Sequence, residues 1–411
     1  MEQREQRLSS AEAAALLGVK PATLYAYVSR GLLRSRRDGP RRASSFDLAE
    51  VERLARRGRG RRREPAATEI AAASRLTAIE EGRLRYRGLD AVELAATRSF
   101  EEVASWLWTG DFAAAGGHAW HADPAAVRVA VRAQAALPAR TLPLERLQVI
   151  AAALAAADEL RFELHPAAAV ATAEALVAGL VDALPPAGAA AAGGRRTPPG
   201  GGQRIAARLW RRLAVGPPAP TLGRALEWAL VLVADHELAA STLAARIAAS
   251  VRANPYAVVG AALGVVSGAL HGGASLGAES LLAEVGRPDD AARVIGERLR
   301  RGERLPGFGH QVYAGEDPRA VALLELVRQA AAGSARLAAV EAVLDAVRQR
   351  RLPAANVDFA LAALAHLGGM VHGAAEAIFA VGRVAGWLAH AFEEYQRATP
   401  IRLRASYTGP Q

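Results

Sequence analysis

The feature that most constrains this chain is the kind of apolar residue it uses. Apolar residues fill 51% of the 411 positions and aromatic residues only 5%, and much of the remainder is alanine. A sizeable core can therefore be buried, but from small side chains. Alanine loses no side-chain entropy on entering a helix, so the composition leans towards an all-α chain before any motif is read. The length allows roughly two or three domains. The absence of cysteine excludes a disulfide framework and any thiolate nucleophile or metal ligand. MEQREQRLSS at the start is charged and lacks the apolar stretch of a secretory signal. No apolar run reaches the ~18 residues of a membrane span without Gly, Pro or charge. The expectation is a cytoplasmic protein without a membrane partner.

The net charge of +10 is unevenly placed. Residues 1–64 hold 16 basic and 8 acidic side chains, leaving 35 against 33 for everything that follows. Charge gathered in one terminal segment is the footprint of a polyanion-binding unit. Lys20 is the only lysine, so arginine identity by itself says little about function.

Residues 1–57 read as a small unit, followed by a basic linker at 58–67. Ser9-Ser10-Ala11-Glu12 is a capping box opening a helix to Leu17. Gly18-Val19 makes a turn, Pro21 suits the first position of a second helix, and Gly31 suits its end. Asp38-Gly39 is a hairpin signal within a basic stretch, and Asp47 to Glu50 opens a third helix. The stretch SSAEAAALLGVKPATLYAYVSRGLL, with the basic wing after it, resembles the helix-turn-helix units of MerR-type regulators and excisionase-like proteins. That resemblance implies DNA as a partner through residues 1–63, with Lys20, Thr23, Tyr25, Tyr27 and Arg30 near a groove.

From about residue 68 the chain is a series of Ala/Leu-rich helical segments. Leu76 to Tyr86 alternates as a small hairpin would. Leu184 to Gln203, rich in Pro, Gly and Ala, reads as a surface insertion. Helical periodicity resumes at Arg204 and runs to about Arg397, broken by a polar, Gly-rich stretch at Leu305–Arg319. Three places carry polar residues that an Ala-rich helical protein does not otherwise need. They are His271-Gly-Gly-Ala-Ser275, the loop Pro306-Gly-Phe-Gly-His310 with Asp317-Pro-Arg319 after it, and Asn356-Val-Asp358-Phe359. Two imidazoles and a carboxylate in apolar surroundings suit proton abstraction next to a carbonyl. Singly, each has a plainer reading, and His118, His121, His165, His366, His372 and His390 keep it. A lone Asp before an apolar helix is most often its N-cap.

LHGGAS, PGFGHQVYAGEDPRA and NVDF, in that order, resemble the active-site motifs of the citrate synthase family. ADHELAASTLAAR, RLRYRGLDAVELA, AVGRVAGWLAHAFEEY and RLRASYTGP extend the resemblance over about residues 68–411. It implies an all-α architecture with large and small helical domains, the small one at about 272–370, preceded by a small winged helix-turn-helix domain. It also implies that Asp358 takes a proton from an acyl-CoA methyl group. His271 would meet the thioester oxygen and His310 the oxo-acid carbonyl. His236, Arg319 and Arg383 would hold the oxo-acid carboxylates, for which a planar guanidinium is suited. Leu305, Pro306, Gly307, Phe308 and Gly309 would lie along CoA, and Arg402 would complete the partner subunit's site in a homodimer. No metal or prosthetic group is implied; the acyl-CoA is a substrate.

Some positions depart from the family pattern. Gln311 and Ala314 stand where basic residues are common, Ser275 where Asn is common, and Glu393-Glu394 where Glu-Gln is usual. The expected reaction joins acetyl-CoA or propionyl-CoA to oxaloacetate, giving citrate or 2-methylcitrate and CoA. The alternatives are a metabolite-sensing transcriptional regulator using the same ligand site, and a citryl-CoA lyase-type activity.

Overall fold

A computed structural model describes residues 7–17, 24, 27–28, 33, 35–38, 43–48, 50–51, 72–113, 118–187, 203–397 and 399–402. The chain divides into two compact units, Met1–Ala73 and Ser74–Gln411.

In the first unit, strand β1 (Arg7–Ser9) leads into helix α1 (Ser10–Leu17), and β2 (Ser35–Asp38) and β3 (Ala43–Asp47) follow. The strands form an antiparallel sheet of order β1-β3-β2. The capping box is made as the sequence requires. Ser9 N–H donates to Glu12 Oε2 at 2.8 Å, and Glu12 N–H donates to Ser9 Oγ at 3.3 Å. The Asp38-Gly39 signal is answered by β2 pairing with β3, Asp38 opposite Ala43. Asp47 Oδ1 accepts the Glu50 N–H at 3.0 Å, the cap expected for a third helix. Strand β1 was not anticipated: three residues are too short to show alternation, and their partner lies almost forty residues away. Ala13, Ala14, Leu24, Leu33, Phe46 and Val51 make the core of this unit, and Tyr27 packs half-buried against it. Lys20, Thr23, Tyr25 and Arg30 lie outside the described residues.

The second unit opens with the expected hairpin, β4 (Thr77–Glu80) against β5 (Arg83–Tyr86), extended by β6 (Leu89–Asp90). The helices that carry the candidate site are α2 (Pro220–Leu232), α3 (Ala240–Ser250), α4 (Gly273–Val285), α5 (Pro318–Ala330), α6 (Val357–Gly368) and α7 (Ala374–Tyr395). Helix α7 is the axis of the unit. All of its residues except Glu393 and Tyr395 are buried, and α2, α3, α4 and α6 pack against it, as do the helices Phe100–Thr109 and Pro143–Ala157. Small residues make this possible. A Cβ on Gly382 would stand 2.6 Å from Val233 Cγ2, and one on Gly386 would collide with the Ala234 carbonyl oxygen. These two glycines, one helical turn apart, let the backbone after α2 lie directly on α7.

Helix Pro166–Ala183 is long and apolar enough to cross a membrane by length and composition. Its buried Asp182 accepts from Arg208 Nε at 2.9 Å, and its Ala173, Leu176, Val177 and Leu180 belong to the core. Most of the Pro/Gly/Ala stretch after it, residues 188–202, lies outside the described residues. The expected break at Leu305–Arg319 is present: no helix runs between Arg300 and Pro318, where Asp317 caps α5.

Candidate active site

The first turns of four helices are joined by side-chain hydrogen bonds, and the sequence-marked residues stand at that junction. Ser241, second in α3, lies with Oγ 2.8 Å from His271 Nε2, just before α4. Ser275, third in α4, donates to Asp358 Oδ1 at 2.5 Å, at the start of α6. Val357, which opens α6, gives its N–H to Asp317 Oδ2 at 3.0 Å, the cap of α5. Helix N-termini carry partial positive charge, so their meeting favours an anionic guest.

Asn356, not Asp358, is the N-cap of α6. Its Oδ1 accepts the Asp358 N–H at 2.9 Å and the Phe359 N–H at 3.4 Å. The ordinary cap role is therefore taken, and the Asp358 carboxylate is left half-buried inside the first turn. Burial raises its pKa above the usual carboxylate value, while the Ser275 hydroxyl and the Arg319 guanidinium pull it down.

Loop Leu305–Gly309 is strapped to the segment before α6. Gly309 N–H donates to Ala354 O at 2.8 Å, Asn356 N–H to Gly307 O at 2.9 Å, and Asn356 Nδ2 to Gly309 O at 2.9 Å. Gly307 has φ +83°, and a Cβ there would stand 2.8 Å from Phe359 Cβ and 3.1 Å from Ala278 Cβ. Only glycine fits both the conformation and the gap. Phe308 stays half-buried against Phe359, with ring centroids 4.8 Å apart.

The strap brings His310 to His236, with ring centroids 5.2 Å apart. Tyr313 sits beside both: its hydroxyl is 3.0 Å from His236 Nε2, and its ring is 4.8 Å from that of His310. Arg319 is buried and paired with Asp317 through Nε–Oδ1 at 3.0 Å and Nη2–Oδ2 at 2.8 Å; Nη2 also reaches His310 Nε2 at 3.4 Å. Asp317 and Arg319, two positions apart, thus form a local ion pair. Arg383 is different. It is 1% exposed, its Nε donates to Val233 O at 2.6 Å, and its guanidinium lies over Phe379 at 4.6 Å. Among the described residues no carboxylate forms an ion pair with it. Burial, helped by the charge of Arg319, lowers its pKa to about 10 against the pull of Asp235.

The three imidazoles are held neutral. Burial, then Arg383, brings His271 down to about 4. Burial with Arg319 depresses His310, and burial with Arg319 and Arg383 pushes His236 far below its ordinary value. The Trp387 indole N–H donates to Ser241 Oγ at 3.3 Å, and the same oxygen lies 2.8 Å from His271 Nε2. When the serine gives its proton to Nε2, the Nδ1 of the neutral ring carries the ring proton.

Ser241, Ser275, Tyr313 and Trp387 were not singled out from the sequence as site residues. Each lies inside or beside a recognised motif, but a hydroxyl or indole gives no signal of its own there. His390, read as an ordinary residue, joins a buried network: its Nε2 meets Asp235 Oδ2 at 3.2 Å and its Nδ1 meets Arg246 at 2.7 Å. Arg402 is exposed, and no described contact brings it to the site. Together the groups offer one carboxylate base, neutral imidazole donors and two buried guanidiniums, a set suited to enolising one carbonyl compound while holding a dianion.

Residues 67–404 match the family model described as citrate synthase, C-terminal domain, and residues 7–59 match a helix-turn-helix domain model. The chain is 39% identical to citrate synthase 2 of Bacillus subtilis over 197 residues, covering 47% of this chain and 53% of that protein. That match spans about half of the Bacillus protein's length. Identity to the citrate synthase of Haloferax volcanii is 32% over 355 residues, covering 83% of this chain and 94% of that protein. One solved structure, the ternary complex of carboxymethyl coenzyme A and oxaloacetate with citrate synthase from Thermoplasma acidophilum, is 22% identical. Its TM-score is 0.68, with 83% of this chain and 94% of that one covered, and at this identity the likeness bears on the fold alone.

Proposed function

Given that this chain belongs to the citrate synthase family, we propose that it condenses a short acyl-CoA with oxaloacetate, releasing CoA and a tricarboxylate. The observation that carries the reading is Arg383, a buried cation without a carboxylate partner among the described residues, whose charge is felt by the half-buried Asp358. A buried charge of this kind is costly unless an anion meets it. An oxo-dicarboxylate supplies that anion, with His236 and Arg319 as further holders.

Asp358 takes a proton from the acyl methyl group, and the electron pair moves into the enol. His271 donates to the thioester oxygen. The enol carbon attacks the keto carbon of the oxo acid, whose oxygen His310 polarises. Water then cleaves the thioester. Loop Leu305–Gly309 runs along the CoA moiety. A division into large and small parts at about 272–370 gives the site its two walls. Arg402 serves a second subunit in a homodimer, and the location is cytoplasmic. Acetyl-CoA and propionyl-CoA remain the two acyl donors to compare.

A second reading has its own support. Residues 1–64 hold 16 basic against 8 acidic side chains, and residues 7–59 match a helix-turn-helix model. The unit binds DNA, and occupancy of the ligand site sets how well. Oxaloacetate-dependent release of free CoA from each acyl-CoA, with Asp358→Ala as control, tests the enzyme reading; no release by wild-type protein at high concentration rules it out. Retardation of genomic fragments that survives roughly 200 mM salt supports the second reading, since purely electrostatic binding is largely lost there.

A further inference from the structure

A serine hydroxyl inside a helix ordinarily turns back on a carbonyl three or four residues earlier. Ser280, Ser250 and Ser267 do so, donating to Leu276 O at 3.0 Å, Ile247 O at 2.8 Å and Gly264 O at 2.8 Å. Ser275 does not. It is fully buried, and its hydroxyl crosses to a residue 83 positions along the chain, Asp358. The distance it spans is fixed by packing. Gly307 is pressed between Phe359 of α6 and Ala278 of α4, so neither helix can move closer without disturbing the loop.

We propose that Ser275 is a positioning residue for the condensation: its hydroxyl engages one carboxylate oxygen of Asp358 and leaves the other facing the carbon acid. The inference rests on the proposed function above. Ser275 Oγ–H donates to Oδ1. When Oδ2 takes the proton, the C–H bond of the acyl methyl group breaks, the O–H bond forms at Oδ2, and the electron pair enters the enol. Oδ1 remains an acceptor throughout, so the serine bond survives the transfer and the carboxyl group need not rotate. Because the bond favours the ionised form, removing it makes Asp358 harder to ionise.

The test is a series at this position, read by titrating the Asp358 carboxyl carbon by NMR in protein labelled at aspartate, with Asp358→Asn identifying the signal. Ser275→Ala deletes the donor, Ser275→Cys weakens it and Ser275→Thr keeps it. The Ala variant should move the titration midpoint up by about one unit, as expected for a hydrogen bond to a charged group. The Cys variant should move it less and the Thr variant not at all. The acid limb of kcat should follow the midpoint, with kcat on that limb falling roughly tenfold in the Ala variant and KM for the oxo acid unchanged. An unmoved midpoint in both Ala and Cys variants overturns the proposal. So does a loss of activity without a moved midpoint, which marks a merely structural serine. Absence of turnover by wild-type protein sinks the proposed function instead, and leaves the titration to judge Ser275.

Discussion

Arg383 and Arg319 are both buried guanidiniums, yet they play unlike parts. Arg319 is already paired with Asp317, so its charge is settled before any ligand arrives. Arg383 donates to a backbone carbonyl and lies over a ring, which leaves its charge to act on its surroundings. Burying such a charge is unfavourable, and replacing it by an apolar residue of similar reach is often neutral or stabilising. Arg383→Met should therefore raise KM for the oxo acid by at least about thirtyfold, for a lost contact of about 2 kcal/mol or more. Its melting temperature should equal or exceed that of the wild type. Steady-state kinetics and a thermal melt on one preparation read both, and a collapse of stability would show that the arginine is structural. The same arginine helps to keep His271 neutral: with its pKa at about 4, that imidazole does not titrate near neutrality. Under the proposed function, the acid limb of activity should follow the Asp358 carboxyl, which burial raises above its ordinary value.

Among the elements, the loop between Arg300 and Pro318 decides most. Its presence and its end near Pro318 were legible because glycine, proline and polar residues interrupt the helical period, whereas the helix before it already stops at Arg300. Its path was not. What seats it is a set of backbone bonds to Ala354 and Asn356 and the close approach of Gly307 to Phe359. Gly307→Ala meets a contact of 2.8 Å at φ +83°. It should cost about 1–3 kcal/mol, the range for such strain, seen as a melting temperature lower by several degrees. Activity should fall further than stability, since His310 and the α6 cap move with the loop. Equal losses would place the strain outside the site. The small unit shows the complementary case. Its capping box and the Asp47 cap were readable because each is a contact within three residues, whereas β1 was hidden because its pairing with β3 is long-range.

Across the whole molecule, buried carboxylates set how stability follows pH. Glu227 accepts the Phe100 N–H at 2.7 Å, joining α2 to the start of helix Phe100–Thr109. Burial, reinforced by Glu101, raises its pKa from 4.5 to about 7. A raised carboxyl pKa means that the folded protein holds a proton the unfolded chain has released. The contribution of Glu227 is full below about 4.5 and is lost as the pH rises through about 7. Glu227→Gln keeps an acceptor for Phe100 without the charge. Its denaturant midpoint should match wild type at the acid end of that window and exceed it at pH 8, and equal midpoints at both ends would show that Glu227 does not titrate there.

Alanine-rich periodicity, local caps and turn residues determined from the sequence alone that this chain is helical and that a small capped unit stands at its start. Those properties are local: they rest on residues a few positions apart and on side-chain entropy. The serine on Asp358, the serine behind His271 and the charge of Arg383, unpaired among the described residues, were decided only by tertiary structure. Each depends on residues 30 to 150 positions apart meeting across closely packed helices, and no local pattern encodes such a meeting. Gly382 and Gly386 show why: glycine inside a helix costs stability, and the purpose of these two appears only when Val233, Ala234 and Asp235 lie against them.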